Sequence, residues 1–219
     1  MARRRTPPLK RRRYRREPKR RFIIFCEGKN TEPAYFAAFR RAYSNALIEV
    51  TTIGAGGVPL TLAKLAAERA RSLGLSRRSR KALNSFEEGD HVWAAFDRDI
   101  HPNFNEAVTM CEQVGVRVAR SNPCFELWLI LHEDDYDKPD GRHVVQAHLK
   151  KLRPEYDKRG AKMPDCADLV TRVEEAERRA EMQLTRREDE GLPYGPPSTT
   201  VGHLTRAIQD AAQSASNAT

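Results

Sequence analysis

The sequence predicts an α/β fold: a mainly parallel four-stranded sheet flanked by helices, followed by a helical C-terminal extension. Three observations predict it. Apolar runs without polar alternation, such as Phe22-Ile23-Ile24-Phe25, read as strands buried on both faces. Stretches of helical spacing lie between these runs, in the order βαβαβαβα. After Asp134-Asp135-Tyr136-Asp137 the strand signal stops and charged helical segments take over.

Each element has its own local signal. Phe22–Cys26 is the first strand. Thr31 is placed to cap the first helix, with Pro33 in its first turn and Tyr35, Phe36, Phe39 and Tyr43 on one face. Leu47–Thr52 is β-branched enough for a second strand, and Gly54-Ala55-Gly56-Gly57 is a loop. Pro59 opens a second helix whose inner stripe is Leu62, Leu65, Ala66, Ala70 and Leu73. Residues 74 to 90 are polar and basic, an exposed connection. His91–Phe96 is the third strand. Asn103 and Glu106 form a capping-box-like start to the third helix, which Gly115 ends. Val116–Ala119 is the fourth strand, and Ser121-Asn122-Pro123 turns the chain into an apolar helix over Phe125–His132. In the extension, helices are expected over Arg142–Leu152 and Ala167–Glu188. The linker GLPYGPPST then leads to a last helix capped by Ser198 or Thr199.

The chain has 219 residues, 32% of them charged, enough for one sizeable domain with an extension. Its formal net charge of +9 is unevenly placed. Residues 1 to 21 carry twelve Lys/Arg against Glu17 alone, a local +11, which leaves −2 for residues 22 to 219. The chain thus divides into a basic arm at 1–21, an α/β domain at 22–135 and a helical extension at 136–219 packed on it. The arm has too few apolar groups to fold alone. Its basic blocks, including Arg11, Arg12 and Arg13, surround Tyr14. They fit an arm that grips nucleic-acid phosphates without sequence preference, or a solubilising tail. The longest apolar stretch, Leu127–Leu131, is far short of the roughly 20 residues of a membrane span, so no membrane partner is expected. Cys26, Cys111, Cys124 and Cys166 show no zinc spacing and read as reduced thiols of a cytoplasmic protein.

The chemistry lies at the strand exits. In open α/β sheets, ligands bind outside the carboxyl ends of the strands. Glu27 ends the first strand and is followed by Gly28, which lets the backbone bend and a phosphate approach. Asp97 and Asp99 end the third strand, and in an extended exit their side chains point the same way. These oxygens suit Mg²⁺ (or Mn²⁺), which stabilises phosphoryl oxygens and activates water, as phosphodiester cleavage requires. A lone DxD is weak, and acids at strand ends are common; the combination carries the reading. Ser121 and Asn122 share the rim, and Lys29 and Asn30 are candidates for phosphate or substrate contact. Glu126 either joins the acids near the metal or caps its helix. His132 reads as structural. The glycine loop at 54–57 lacks a Gly-Lys-Ser/Thr ending and reads as a tight turn rather than an ATP site.

These stretches resemble a known family. FIIFCEGKNTEPAYFAAF resembles the first motif of the Toprim domain, a strand ending in Glu-Gly, and VWAAFDRD resembles its DxD motif. The resemblance is closest to the RloB-like branch, through CEGKNTEPAYF, FDRD, SNPCFELWLILH and PPSTTVGHL, and covers Phe22 to about Ile208. It implies a Toprim-like, Rossmannoid fold related to OLD-type nucleases. It also implies Glu27 as general acid or base and sometimes metal ligand, and Asp97 and Asp99 as Mg²⁺ ligands. RloB-like proteins occur in restriction and abortive-infection loci, often beside an ABC-type ATPase, so the resemblance suggests a nuclease effector of antiphage defence. Toprim nucleases are often homodimers. A noncatalytic nucleic-acid-binding or regulatory subunit is the alternative. Nucleotidyl transfer is a third idea, but no triphosphate pocket is evident.

Overall fold

The computed structural model describes residues 20–43, 47–52, 58–75, 90–98, 102–157 and 163–217. The expected basic arm with Arg11, Arg12 and Arg13, the glycine loop, most of the 74–90 connection, and Asp99 lie outside the described residues.

Four parallel strands form the sheet: β1 (Arg21–Cys26), β2 (Leu47–Thr52), β3 (Asp90–Asp97) and β4 (Arg117–Asn122). A fifth, β5 (Ser198–Thr199), pairs antiparallel with β4, giving the order β2-β1-β3-β4-β5. The fold class is the one the alternation predicts. The fifth strand corrects the reading of Ser198 and Thr199 as a helix cap alone. Thr199 Oγ1 does accept from Val201 N–H at 3.3 Å, but Ser121 and Thr199 also share a hydroxyl hydrogen bond of 2.9 Å across the β4–β5 pair.

β1 sits centrally, which is why its run is apolar on both sides. Phe22, Ile24 and Cys26 enter one core, and Ile23 and Phe25 enter the other. The first core holds α1 (Thr31–Ala42), α4 (Glu126–Leu131) and the extension, which comprises α5 (Arg142–Leu152), α6 (Cys166–Val170), α7 (Val173–Asp189) and α8 (Val201–Asn217). The second holds α2 (Pro59–Ser72) and α3 (Phe104–Gln113). Every residue of α4 is buried, the apolar run Leu127–Leu131 together with Glu126 at its start.

Local expectations were corrected in four places. Thr31 is the first residue of α1; Asn30 stands at its N-cap and makes no side-chain cap bond. The Asn103–Glu106 box likewise does not form. Leu65 is 41% exposed, and the inner stripe of α2 is Leu62, Ala63, Ala66, Ala67 and Ala70. The long helix over 167–188 breaks at Thr171–Arg172, where Arg153 and Arg172 converge on Glu133 and Asp168.

His132 is structural. Its ring is 1% exposed, meets the Trp128 carbonyl at 2.9 Å through Nδ1 and Tyr35 Oη at 3.0 Å through Nε2. The carbonyl can only accept, so Nδ1 carries the proton and Nε2 accepts from tyrosine. Burial pushes its pKa down to about 3, with nearby Arg172, Arg179 and Arg153 adding to the effect. The depressed pKa contributes stability that is full above about pH 6.5 and lost as pH falls toward 3. A proton NMR titration is expected to show a neutral His132 ring down to about pH 4; a midpoint near 6.5 would contradict this.

Candidate active site

The strand order places the site. β1 lies between β2 and β3, so the chain leaves β1 toward one sheet edge and β3 toward the other. α1 packs in one core and α3 in the other. The carboxyl ends of β1 and β3 therefore flank the topological switch point, where open α/β sheets form their crevice.

Glu27 and Asp97 meet there. The Glu27 amide donates to the Ala95 carbonyl at 3.1 Å, carrying the ladder one residue beyond β1. Its carboxylate Oε2 accepts from the Asp97 amide at 3.1 Å. Asp97 follows Trp93 and Ala95 in strand parity and so faces the core shared with α1, α4 and the extension. There it is 6% exposed. Burial, and then the charges of Glu32, Glu126 and Glu27, push its pKa well above the usual carboxylate range. Arg142 from the start of α5 opposes this, with Nη2 at 2.6 Å from Asp97 Oδ2.

Two further carboxylates complete the cluster. Glu32, in the first turn of α1, folds back so that Oε1 accepts from the Gly28 amide at 3.0 Å. Burial, with the charges of Glu126 and Glu27 adding, raises its pKa to about 7 against the pull of the Gly28 hydrogen bond. Glu126 opens α4 at 6% exposure, and its Oε1 accepts from Tyr156 Oη at 2.6 Å and Gln146 Nε2 at 3.1 Å. The helix-capping alternative for Glu126 fails on geometry, because no side-chain cap bond is made at the start of α4.

Gly28 has a concrete reason here. A Cβ at that position would stand 2.0 Å from Glu32 Oε2. Gly28→Ala is expected to displace the Glu32 carboxylate and cost about 1–3 kcal/mol in chemical denaturation. It should also return the Glu32 titration toward the ordinary range. A variant as stable as wild type, with Glu32 still titrating near 7, would contradict the packing.

The other predicted residues separate. Lys29 and Asn30 are exposed on the rim beside Glu27. Ser121 is 1% exposed and engaged with Thr199, inside the β4–β5 pair. Asn122 is 8% exposed and donates from Nδ2 to the Tyr194 carbonyl at 2.9 Å. Sequence reasoning missed Glu32, because an acid in a helix's first turn is ordinary. It also missed Arg142, Gln146 and Tyr156, which arrive from the extension, more than forty residues from Asp97 in the case of Arg142. The sole trace was the spacing of Gly28 and Glu32.

Among the described residues, no three Asp, Glu, His or Cys side chains already stand in a metal-holding group. The donor chemistry nonetheless suits a hard cation: four carboxylates, of which Asp97 and Glu32 are held up in pKa by burial and then by neighbouring carboxylates, Glu126 and Glu27 in both cases. To hold one, Asp97, Glu27 and Glu126 would have to draw closer together than they stand.

The fold and site thus define an α/β protein with a carboxylate cluster in the crevice at its sheet's switch point. The chain belongs to the RloB-like protein family, whose model matches residues 22–208. No curated protein and no solved structure matches the chain. Among the described residues, no helix is long and apolar enough to cross a membrane.

Proposed function

We propose that this RloB-like protein is a Toprim-type, Mg²⁺-dependent nuclease, related to the OLD-type enzymes, that cleaves nucleic-acid phosphodiesters as a cytoplasmic effector of antiphage defence. The observation that carries the reading is the meeting of Glu27 and Asp97 at the switch point, joined by a 3.1 Å hydrogen bond. Mg²⁺ or Mn²⁺ bound by Asp97, Glu27 and Glu126, with Asp99 as a further ligand, would neutralise phosphoryl charge and supply an activated water. Glu27, half-buried on the rim, is the general acid or base. Glu32, poised near neutral pH, is the group beside it that takes up or releases a proton as the charge in the crevice changes. Arg142 offsets the Asp97 charge. The basic arm adds phosphate affinity, and an ABC-type ATPase and a second copy of the chain are the partners of this reading.

The Arg142–Asp97 ion pair also supports a second reading, because it occupies a candidate metal ligand. On that reading the protein is a noncatalytic nucleic-acid-binding or regulatory subunit. The test is cleavage of single-stranded and duplex DNA and RNA by the full chain together with its ATPase partner. Cleavage that needs Mg²⁺ or Mn²⁺ and stops with EDTA is expected. Binding without cleavage under every cation would favour the second reading.

A further inference from the structure

A cleft of about 490 Å³ lies at the carboxyl ends of β3 and β4, in the size range of small-ligand sites. Its walls include Arg98 and Asn122 at the exits of β3 and β4, and Leu192, Pro193 and Pro196 from the loop between α7 and β5. Arg98 directly follows Asp97 in the chain, which puts the cleft on the same rim of the sheet as the carboxylates.

The loop is built and held rather than loose. Tyr194 has φ +62°, a left-handed conformation that only a well-supported backbone imposes on a tyrosine. Its carbonyl accepts from both Arg98 Nη1 at 3.0 Å and Asn122 Nδ2 at 2.9 Å. The Gly195 amide donates to the Leu192 carbonyl at 2.7 Å, leaving no room for a Cβ, which would stand 2.9 Å from that oxygen. The buried Arg187 donates to the Pro196 carbonyl at 3.2 Å. Yet this fixed loop leaves Leu192 62% exposed, the most open large apolar residue among those described. Two guanidinium groups lie against this loop: Arg98 on the cleft wall, and Arg120 over the Tyr194 ring at 3.8 Å. A rigid apolar surface flanked by guanidinium groups matches a flat nucleobase bearing a phosphate.

We infer that this cleft is a nucleotide subsite for an unpaired strand, with the base against Leu192 and Pro193 and its phosphate on Arg98. A base inside a duplex is stacked and cannot enter such a cleft, so the subsite selects single strands. The inference rests on the reading that the chain acts on nucleic acid, and specifies which form.

The experiment measures binding of a fluorescein-labelled 12-mer of dT, and of its duplex with dA, to the full chain in EDTA by fluorescence anisotropy. Leu192→Ser changes an exposed side chain and leaves the fold in place. It is expected to weaken single-strand binding roughly tenfold and leave duplex binding unchanged. Arg98→Gln is expected to lower the salt slope of single-strand binding by about one unit. No single-strand binding by wild type, unchanged affinity in Leu192→Ser, or an equal loss on duplex would overturn the subsite. Because EDTA removes cation-dependent chemistry, Leu192-dependent binding without cleavage in the assay above would reject the nuclease reading alone.

Discussion

Replacing Asp97 by Asn is expected to lower cation-dependent cleavage by more than about a hundredfold while leaving the protein folded. The amide has nearly the same shape, and its Oδ1 can still accept from Arg142, whose Nη2 lies at 2.6 Å. It cannot supply the anionic oxygen a hard cation requires. The same change removes a buried charge that Glu32, Glu126 and Glu27 all oppose. Thermal stability in EDTA at pH 7.5 is therefore expected to hold or rise as activity falls. That pairing is the signature of a functional carboxylate kept at a cost to the fold. Cleavage at the wild-type rate would remove Asp97 from the chemistry. Loss of activity together with loss of fold would make Asp97 a structural residue.

The second large effect belongs to Glu32→Gln, and it depends on pH. In the folded chain Glu32 keeps its proton up to about pH 7, whereas its ordinary value is 4.5. Between these values the folded state binds more protons than the unfolded one, so stability falls as pH rises through the window. Above about pH 7 the penalty is complete; below 4.5 it is absent. Gln retains an oxygen for the Gly28 amide and carries no charge. It is expected to be neutral at pH 4 and stabilising by on the order of 2 kcal/mol at pH 8, in urea denaturation with EDTA present. The effect of His132 runs the other way across much of the window and cancels in the comparison with wild type. An equal difference at both pH values, or destabilisation at pH 8, would contradict the buried, charge-crowded Glu32.

The legible part of this protein follows from periodicity and from chain direction. Apolar runs announced β1 and β3, and the rule that parallel strands open their ligand crevice at the carboxyl ends placed Glu27 and Asp97 together. Their meeting needs only that β1 and β3 be neighbours. β5 was illegible because two residues, Ser198 and Thr199, carry no period, and a Ser-Thr pair before a helix looks like a cap. The supporting shell was illegible for another reason. Arg142, Gln146 and Tyr156 reach Asp97 and Glu126 through packing of the extension, and nothing local marks such long-range partners. Glu32 carries no local mark beyond that of an acid in a helix's first turn, and only the fold shows its carboxylate turned back to the Gly28 amide. Leu65 misled by composition: in α2 the alanines point inward, because the packing against β3 and α3 leaves space for small side chains.

On the proposed function, the switch-point carboxylates hold a divalent cation. Titration calorimetry of Mg²⁺ and Mn²⁺ into wild type and into Asp97→Ala/Asp99→Ala tests it most directly. Run at pH 6.5 in two buffers of different ionisation enthalpy, it also reads proton release, because a cation entering the cluster lowers the pKa of Glu32. Wild type is expected to bind saturably and release a fraction of a proton, and the variant to do neither. No binding by folded wild type, or equal binding by the variant, would contradict it.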